Sequence, residues 1–112
     1  MLKTLKLLTE CPLFLSHDII DFQEDPDFYC LKAIAFLKDG TELHILEFIS
    51  PTKVRYSYHW QNPDGTLIIR WDNAPHHPEL RSFPNHKHNS GVEESKVCTL
   101  QDAIEEIEKT LG

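Results

Sequence analysis

Four histidines and an arginine fall within 13 residues, His76, His77, Arg81, His86 and His88, on a segment stiffened by Pro75, Pro78 and Pro84. Two chemistries fit these residue types. Imidazoles titrate near pH 6.5, so two of them can serve as general base and general acid while Arg and Lys hold a phosphate, as a metal-independent ribonuclease requires. Alternatively, a His-x-His pair such as His86 and His88 projects both rings to one side of an extended segment and, with a further His and a carboxylate, suits a divalent metal. The neighbours His76 and His77 point apart. The segment follows Tyr56-Ser57-Tyr58-His59-Trp60-Gln61 and Ile69-Arg70-Trp71-Asp72, so His59 and Asp72 can converge with it at the end of a hairpin.

The elements that must position these groups follow from the turn signals. Asn62-Pro63-Asp64-Gly65 is a type I turn closed by a glycine suited to positive φ, a three-residue hairpin loop. With Asn62 opposite Thr66, Tyr56 faces Asp72, Tyr58 faces Arg70 and Trp60 faces Ile68. One side of the hairpin then carries Tyr56, Tyr58, Trp60, Arg70 and Asp72, a stacking platform with an anion anchor. A bulge would exchange the faces on one strand. Asp39-Gly40, taken as a two-residue type I′ turn, sets Lys32 opposite Glu47. Glu47 then either pairs with Lys32 or is aimed at the site as a base or ligand. His44 alternates onto the other face and is expected to be a structural histidine.

Turn signals recur about every dozen residues, the spacing of an antiparallel meander. Strands are expected over Asp18 to Phe22, Phe28 to Lys38, Thr41 to Ser50, Lys53 to Gln61 and Thr66 to Asn73. Leu2 to Leu8 suits a short helix or an edge strand, ended by Pro12. Residues 74 to 97 read as a long loop with one short strand at most. Thr99 as N-cap, Asp102 three residues on, and Leu100, Ala103, Ile104, Ile107 and Leu111 on one stripe predict a C-terminal helix. The expected fold is a single α+β domain over residues 1 to 112. It has a twisted antiparallel sheet of about five strands, a C-terminal helix on one face and a long His-rich loop.

Composition narrows the function classes. Eighteen acids against eleven Lys and Arg leave a formal charge of −7, which opposes a general nucleic-acid coat. The charge is uneven: residues 51 to 90 carry five bases and three acids, together with five of the seven histidines and both tryptophans. Cys11, Cys30 and Cys98 form no C-x-x-C pair and are expected to be buried or half-buried thiols in a reducing compartment. The apolar runs are far shorter than the roughly 20 residues of a membrane span, and the first ten residues lack a signal-peptide pattern. A soluble, cytoplasmic protein is expected, with no membrane partner.

Three strings in fixed order carry a resemblance: Tyr56-Ser57-Tyr58-His59-Trp60-Gln61, then Ile69-Arg70-Trp71-Asp72-Asn73-Ala74-Pro75-His76-His77, then Phe83-Pro84-Asn85-His86-Lys87-His88. Together they resemble the TumE family, toxin components of toxin-antitoxin pairs, from Asp39-Gly40 through the C-terminal helix. The resemblance implies a small prokaryotic protein whose free form inhibits growth and which a helix-turn-helix antitoxin blocks. The motif positions it carries over are Glu47, Tyr56, Tyr58, His59, Arg70, Asp72, Asn73, His76, His77, His86 and His88. Trp60 and Trp71 stand where smaller aromatics are expected, as packing variants.

The expected function is a toxin that cleaves RNA without metal or cofactor. The catalytic candidates are His59, Arg70, Asp72, His86 and His88, with Glu47, Tyr56, Tyr58, Asn73, His76, His77 and Lys87 binding. Its partners would be the antitoxin and RNA, and a homodimer is compatible with an open sheet edge. The alternative is a non-enzymatic module that binds a partner protein, with the histidine loop as interface or structural metal clip.

Overall fold

The structure, a computed structural model, describes residues 2–73, 86–88, 92–94 and 99–112. One antiparallel sheet runs in strict chain order: β1 (Phe14–Asp25), β2 (Phe28–Leu37), β3 (Glu42–Ser50), β4 (Lys53–Gln61), β5 (Leu67–Asp72), β6 (His86–His88) and β7 (Val92–Glu94). It is the expected meander with two more strands, both short and both inside the segment read as loop. The N-terminal segment is a helix, α1 (Leu2–Glu10), and the C-terminal helix is α2 (Leu100–Leu111).

Both helices lie on the same face of the sheet. Alternation along the strands sends Tyr29, Leu31, Ala33, Ala35, Leu43, Ile45, Tyr58, Trp60, Ile69 and Trp71 into a core with Leu8, Leu100, Ala103, Ile104 and Ile107. Trp60 fills it without strain on its polar tip, because its indole nitrogen donates to Thr41 Oγ1 at 2.8 Å. The Thr99 side chain accepts from Asp102 N while Asp102 Oδ2 accepts from Thr99 N at 3.0 Å, the capping box expected at the start of α2. Leu111, in the expected stripe, is instead half-exposed in the last turn.

Two turns set the register, and they are the same turn. Lys38-Asp39-Gly40 and Pro63-Asp64-Gly65 are each followed by a threonine whose backbone nitrogen and hydroxyl both donate to the aspartate, at 2.9 and 2.6 Å in the first and 3.0 and 2.8 Å in the second. Gly40 and Gly65 have φ of 92° and 91°, which glycine adopts without cost. The loop at Asp39-Gly40 therefore has three residues, not two: Leu37 N donates to Thr41 O at 2.9 Å, and the ladder slides by one. Lys32 stands opposite Leu46, and Glu47 stands opposite Leu31 on the other face. The expected Lys32–Glu47 pair is thereby excluded, since a one-residue slip turns every side chain over.

The second hairpin closes as expected, with Asn62 N donating to Thr66 O at 2.9 Å. One residue further, a bulge leaves Ile68 unmatched between the pairs Gln61–Leu67 and Trp60–Ile69. Beyond it Tyr58 stands opposite Trp71, His59 opposite Arg70 and Ser57 opposite Asp72. The expected face of Tyr56, Tyr58 and Trp60 with Arg70 and Asp72 is thus divided by that extra residue.

Candidate functional site

The tyrosines and Glu47 belong to the helix-covered face. Tyr56 and Tyr58, expected to stack a base, are buried beneath the helices and stacked on each other at 5.5 Å. Glu47 collects hydroxyls: it accepts from Thr4 of α1 at 2.8 Å, Tyr29 at 2.9 Å and Tyr58 at 2.6 Å. Burial first, and then the Glu47 charge and hydrogen bond, push the Tyr29 phenol far above its ordinary range, so it stays a donor. This carboxylate fastens α1 to the sheet. Lys87 is also spent on packing, its ammonium donating to Glu106 of α2 at 3.1 Å.

Asn73 closes β5. Its amide oxygen accepts from Tyr56 N at 2.8 Å and Arg55 Nη1 at 3.1 Å, and its amide nitrogen donates to Val54 O at 2.7 Å. Those bonds hold the end of β5 against β4.

Among the described residues no helix covers the opposite face, and there the ladders bring four polar side chains into one row. His44 pairs with His59, His59 with Arg70, and Arg70 with His88, on four successive strands. Adjacent strands lie about 4.8 Å apart, so the row crosses the sheet in about 14 Å. One position along, Asp72 stands between Ser57 and His86. Arg70 Nε donates to Asp72 Oδ2 at 2.9 Å, and His88 Nε2 lies 3.8 Å from the same oxygen. The Asp72 side chain is 3% exposed and that of Arg70 is 40%, so a buried carboxylate aims a solvent-facing cation.

The imidazole of His59 is perturbed by its surroundings. Burial, the Arg70 charge and then His44 lower its pKa below the ordinary 6.5, opposed by a hydrogen bond to Gln61. A neutral ring at pH 7 is the consequence. His44 Nε2 is 3.0 Å from Glu42 Oε1, and its ring meets that of His59 edge to face at 6.2 Å.

The row opens into a groove of about 570 Å³ lined by Lys32, Ile34, His44, Leu46, His59 and Arg70 among others. Of the sequence candidates, the structure thus gathers His59, Arg70, Asp72 and His88, with the backbone of His86 opposite Asp72. His76 and His77 lie outside the described residues, as does Cys98; Cys11 and Cys30 are half-buried free thiols. His44, Lys32 and Gln61 were not among the candidates. A count from Pro51-Thr52 as a two-residue turn, with Ser50 opposite Lys53, would have set His44 facing His59. Among the described residues no three His, Cys, Asp or Glu side chains meet as a metal-ligand set.

A family model described as toxin TumE matches residues 4–111. The chain belongs to the toxin TumE family. Membership extends beyond the strings that carried the resemblance to include α1, the element that Glu47 anchors. No curated protein and no solved structure matches the chain. Among the described residues no helix is long and apolar enough to cross a membrane.

Proposed function

We propose that this toxin family member cleaves RNA by acid–base chemistry across the His59–Arg70–His88 row. The observation that carries the reading is the position of a guanidinium between two imidazoles on adjacent strands of an open face. Cleavage of an RNA phosphodiester needs a base at the 2′-hydroxyl and an acid at the 5′-oxygen on opposite sides of phosphorus. Two strand intervals, about 10 Å between backbones, leave room for a phosphate between side chains reaching inward from both ends.

His59, kept neutral by burial and by Arg70, takes the 2′-hydroxyl proton as the 2′-oxygen attacks. The P–O2′ bond forms and the P–O5′ bond breaks, and His88 delivers a proton to the departing 5′-oxygen. Arg70 stabilises the charge that gathers on the non-bridging oxygens; its Nε is tied to Asp72, which leaves the terminal nitrogens for the phosphate. Asp72 is the positioning residue for both Arg70 and His88. A cognate antitoxin that silences the toxin would cover this face.

The test is cleavage of total RNA by the purified protein, with and without EDTA, against His59→Gln and His88→Gln. Each substitution is expected to reduce cleavage by about 100-fold or more, with the circular-dichroism spectrum unchanged and EDTA without effect. Cleavage by both variants within threefold of the parent would sink the assignment. Growth arrest without any cleavage would move the row to partner binding.

A further inference from the structure

We infer that the groove running from His44 to β1 is the seat of one unpaired nucleotide of a single-stranded RNA, its phosphate at Arg70 and its base toward Ile34 and Leu46. The inference deepens the reading of the row as a phosphate site and rests on it.

Three observations carry it. The groove is continuous with the row, since His44, His59 and Arg70 line both, and its volume of about 570 Å³ falls within the range of small-molecule sites. Its floor is apolar: Ile34 and Leu46 face it from β2 and β3, and a bulge between Ile19 and Asp21 re-aims Ile20 into it from β1. A flat apolar floor beside a cation suits a base that has left its stack, because every base offers an apolar π face.

The third observation is the order of charge across the open face. Arg70 and the histidines occupy β3 to β6, whereas Asp18 and Asp21 of β1 stand opposite Ile34 and Lys32 at the far side. A phosphate is drawn to the Arg70 end and repelled from the β1 end. The base, which is uncharged and donates hydrogen bonds through ring or exocyclic N–H groups, goes the other way. The carboxylates of β1 also stop the sugar-phosphate chain from continuing over that strand, so the groove takes the nucleoside on one side of the scissile phosphate and the strand leaves along the row. Rim groups that can read the base are His44 and Gln61, both hydrogen-bonded to Glu42, at 3.0 and 3.5 Å.

The experiment is an NMR titration of the full chain, methyl- and imidazole-detected, with the four nucleoside 3′-monophosphates and with inorganic phosphate. Nucleotides are expected to shift the methyls of Ile34 and Leu46 and the rings of His44 and His59; phosphate alone is expected to shift only His59 and His88. Leu46→Trp, which fills the floor, should weaken nucleotide binding at least tenfold while leaving the phosphate response of His59 and His88 in place. Nucleotide binding without methyl shifts, or an affinity in Leu46→Trp within twofold of the parent, would overturn the inference. The two readings fail separately: methyl shifts with no RNA cleavage would retain the groove and remove the nuclease, and cleavage with no methyl shifts would do the reverse.

Discussion

At the residue scale the charge on Arg70 has, in the proposed mechanism, two jobs that pull in one direction. It offers the phosphate a fixed cation, and it keeps His59 neutral by making the imidazolium unfavourable, after burial the largest influence on that ring. A base that works at neutral pH needs the unprotonated form, so the acid limb of the pH–rate profile is expected below pH 6.5. Replacing Arg70 with Gln removes the repulsion. The His59 midpoint should then rise, the acid limb should move to higher pH, and the rate at the plateau should fall by about 100-fold as the oxyanion loses its partner. Histidine proton shifts recorded through a pH titration check the first part and a pH–rate profile the second. A His59 midpoint that falls in Arg70→Gln would show that the guanidinium had been supporting the imidazolium, and the base would have to be sought elsewhere. The same depression has a sign in stability: since protonation is easier in the unfolded chain, His59 disfavours folding below its folded-state pKa, and this contribution vanishes as pH rises through 6.5.

At the element scale the two Asp-Gly-Thr turns decide which residues share a face. Each places a glycine at φ near 91° with no atom within 4 Å of where a Cβ would stand, so an alanine there meets a backbone penalty and no clash. Gly40→Ala and Gly65→Ala are each expected to cost about 1 kcal/mol in urea unfolding, and to cost the same because the turns are the same. A variant with undiminished stability would mean that its turn does not hold the glycine at positive φ. These turns also show what could be read from residues alone. The hydrophobic alternation and punctuation yielded β4 at its observed ends, the meander order, the C-terminal helix and its capping box. The register was harder. Asp-Gly is compatible with two- and three-residue loops, and only the threonine that follows, whose hydroxyl and nitrogen both reach the aspartate, selects the longer one. That single residue moved Glu47 from a candidate partner of Lys32 to the anchor of α1, while the turn between Ser50 and Lys53 set His44 beside His59. The bulge at Ile68 left no comparable signal at a named residue; beyond it Trp60 and Trp71 both lie in the core. Residue types therefore singled out His59, Arg70, Asp72 and His88 as candidates, while their assembly into a row depended on tertiary packing.

At the scale of the molecule a net charge of −7 would have to coexist with the proposed site for a polyanion. The fold reconciles them by segregation. Acids line β1 and the exposed side of α2, Lys87 is engaged with Glu106, and the open row keeps one permanent cation, Arg70, with Lys32 at the far end of the groove. Such a site would grip RNA by shape and by one charge, not by a broad basic patch. Counterion release from a single strand contributes a slope of about −0.7 in log K against log salt for each phosphate neutralised, so with Arg70 as the one cation at a phosphate the expected slope is about −0.7. Binding of a fluorescein-labelled oligoribonucleotide to His59→Gln, measured by anisotropy between about 50 and 200 mM salt, gives the number. A slope steeper than about −3 would require several further cations at the RNA and would shift the principal grip from the row to the basic residues around it. A shallow slope combined with measurable affinity would instead require that burial of a base on the apolar floor supply most of the binding, because Arg70 cannot supply it alone.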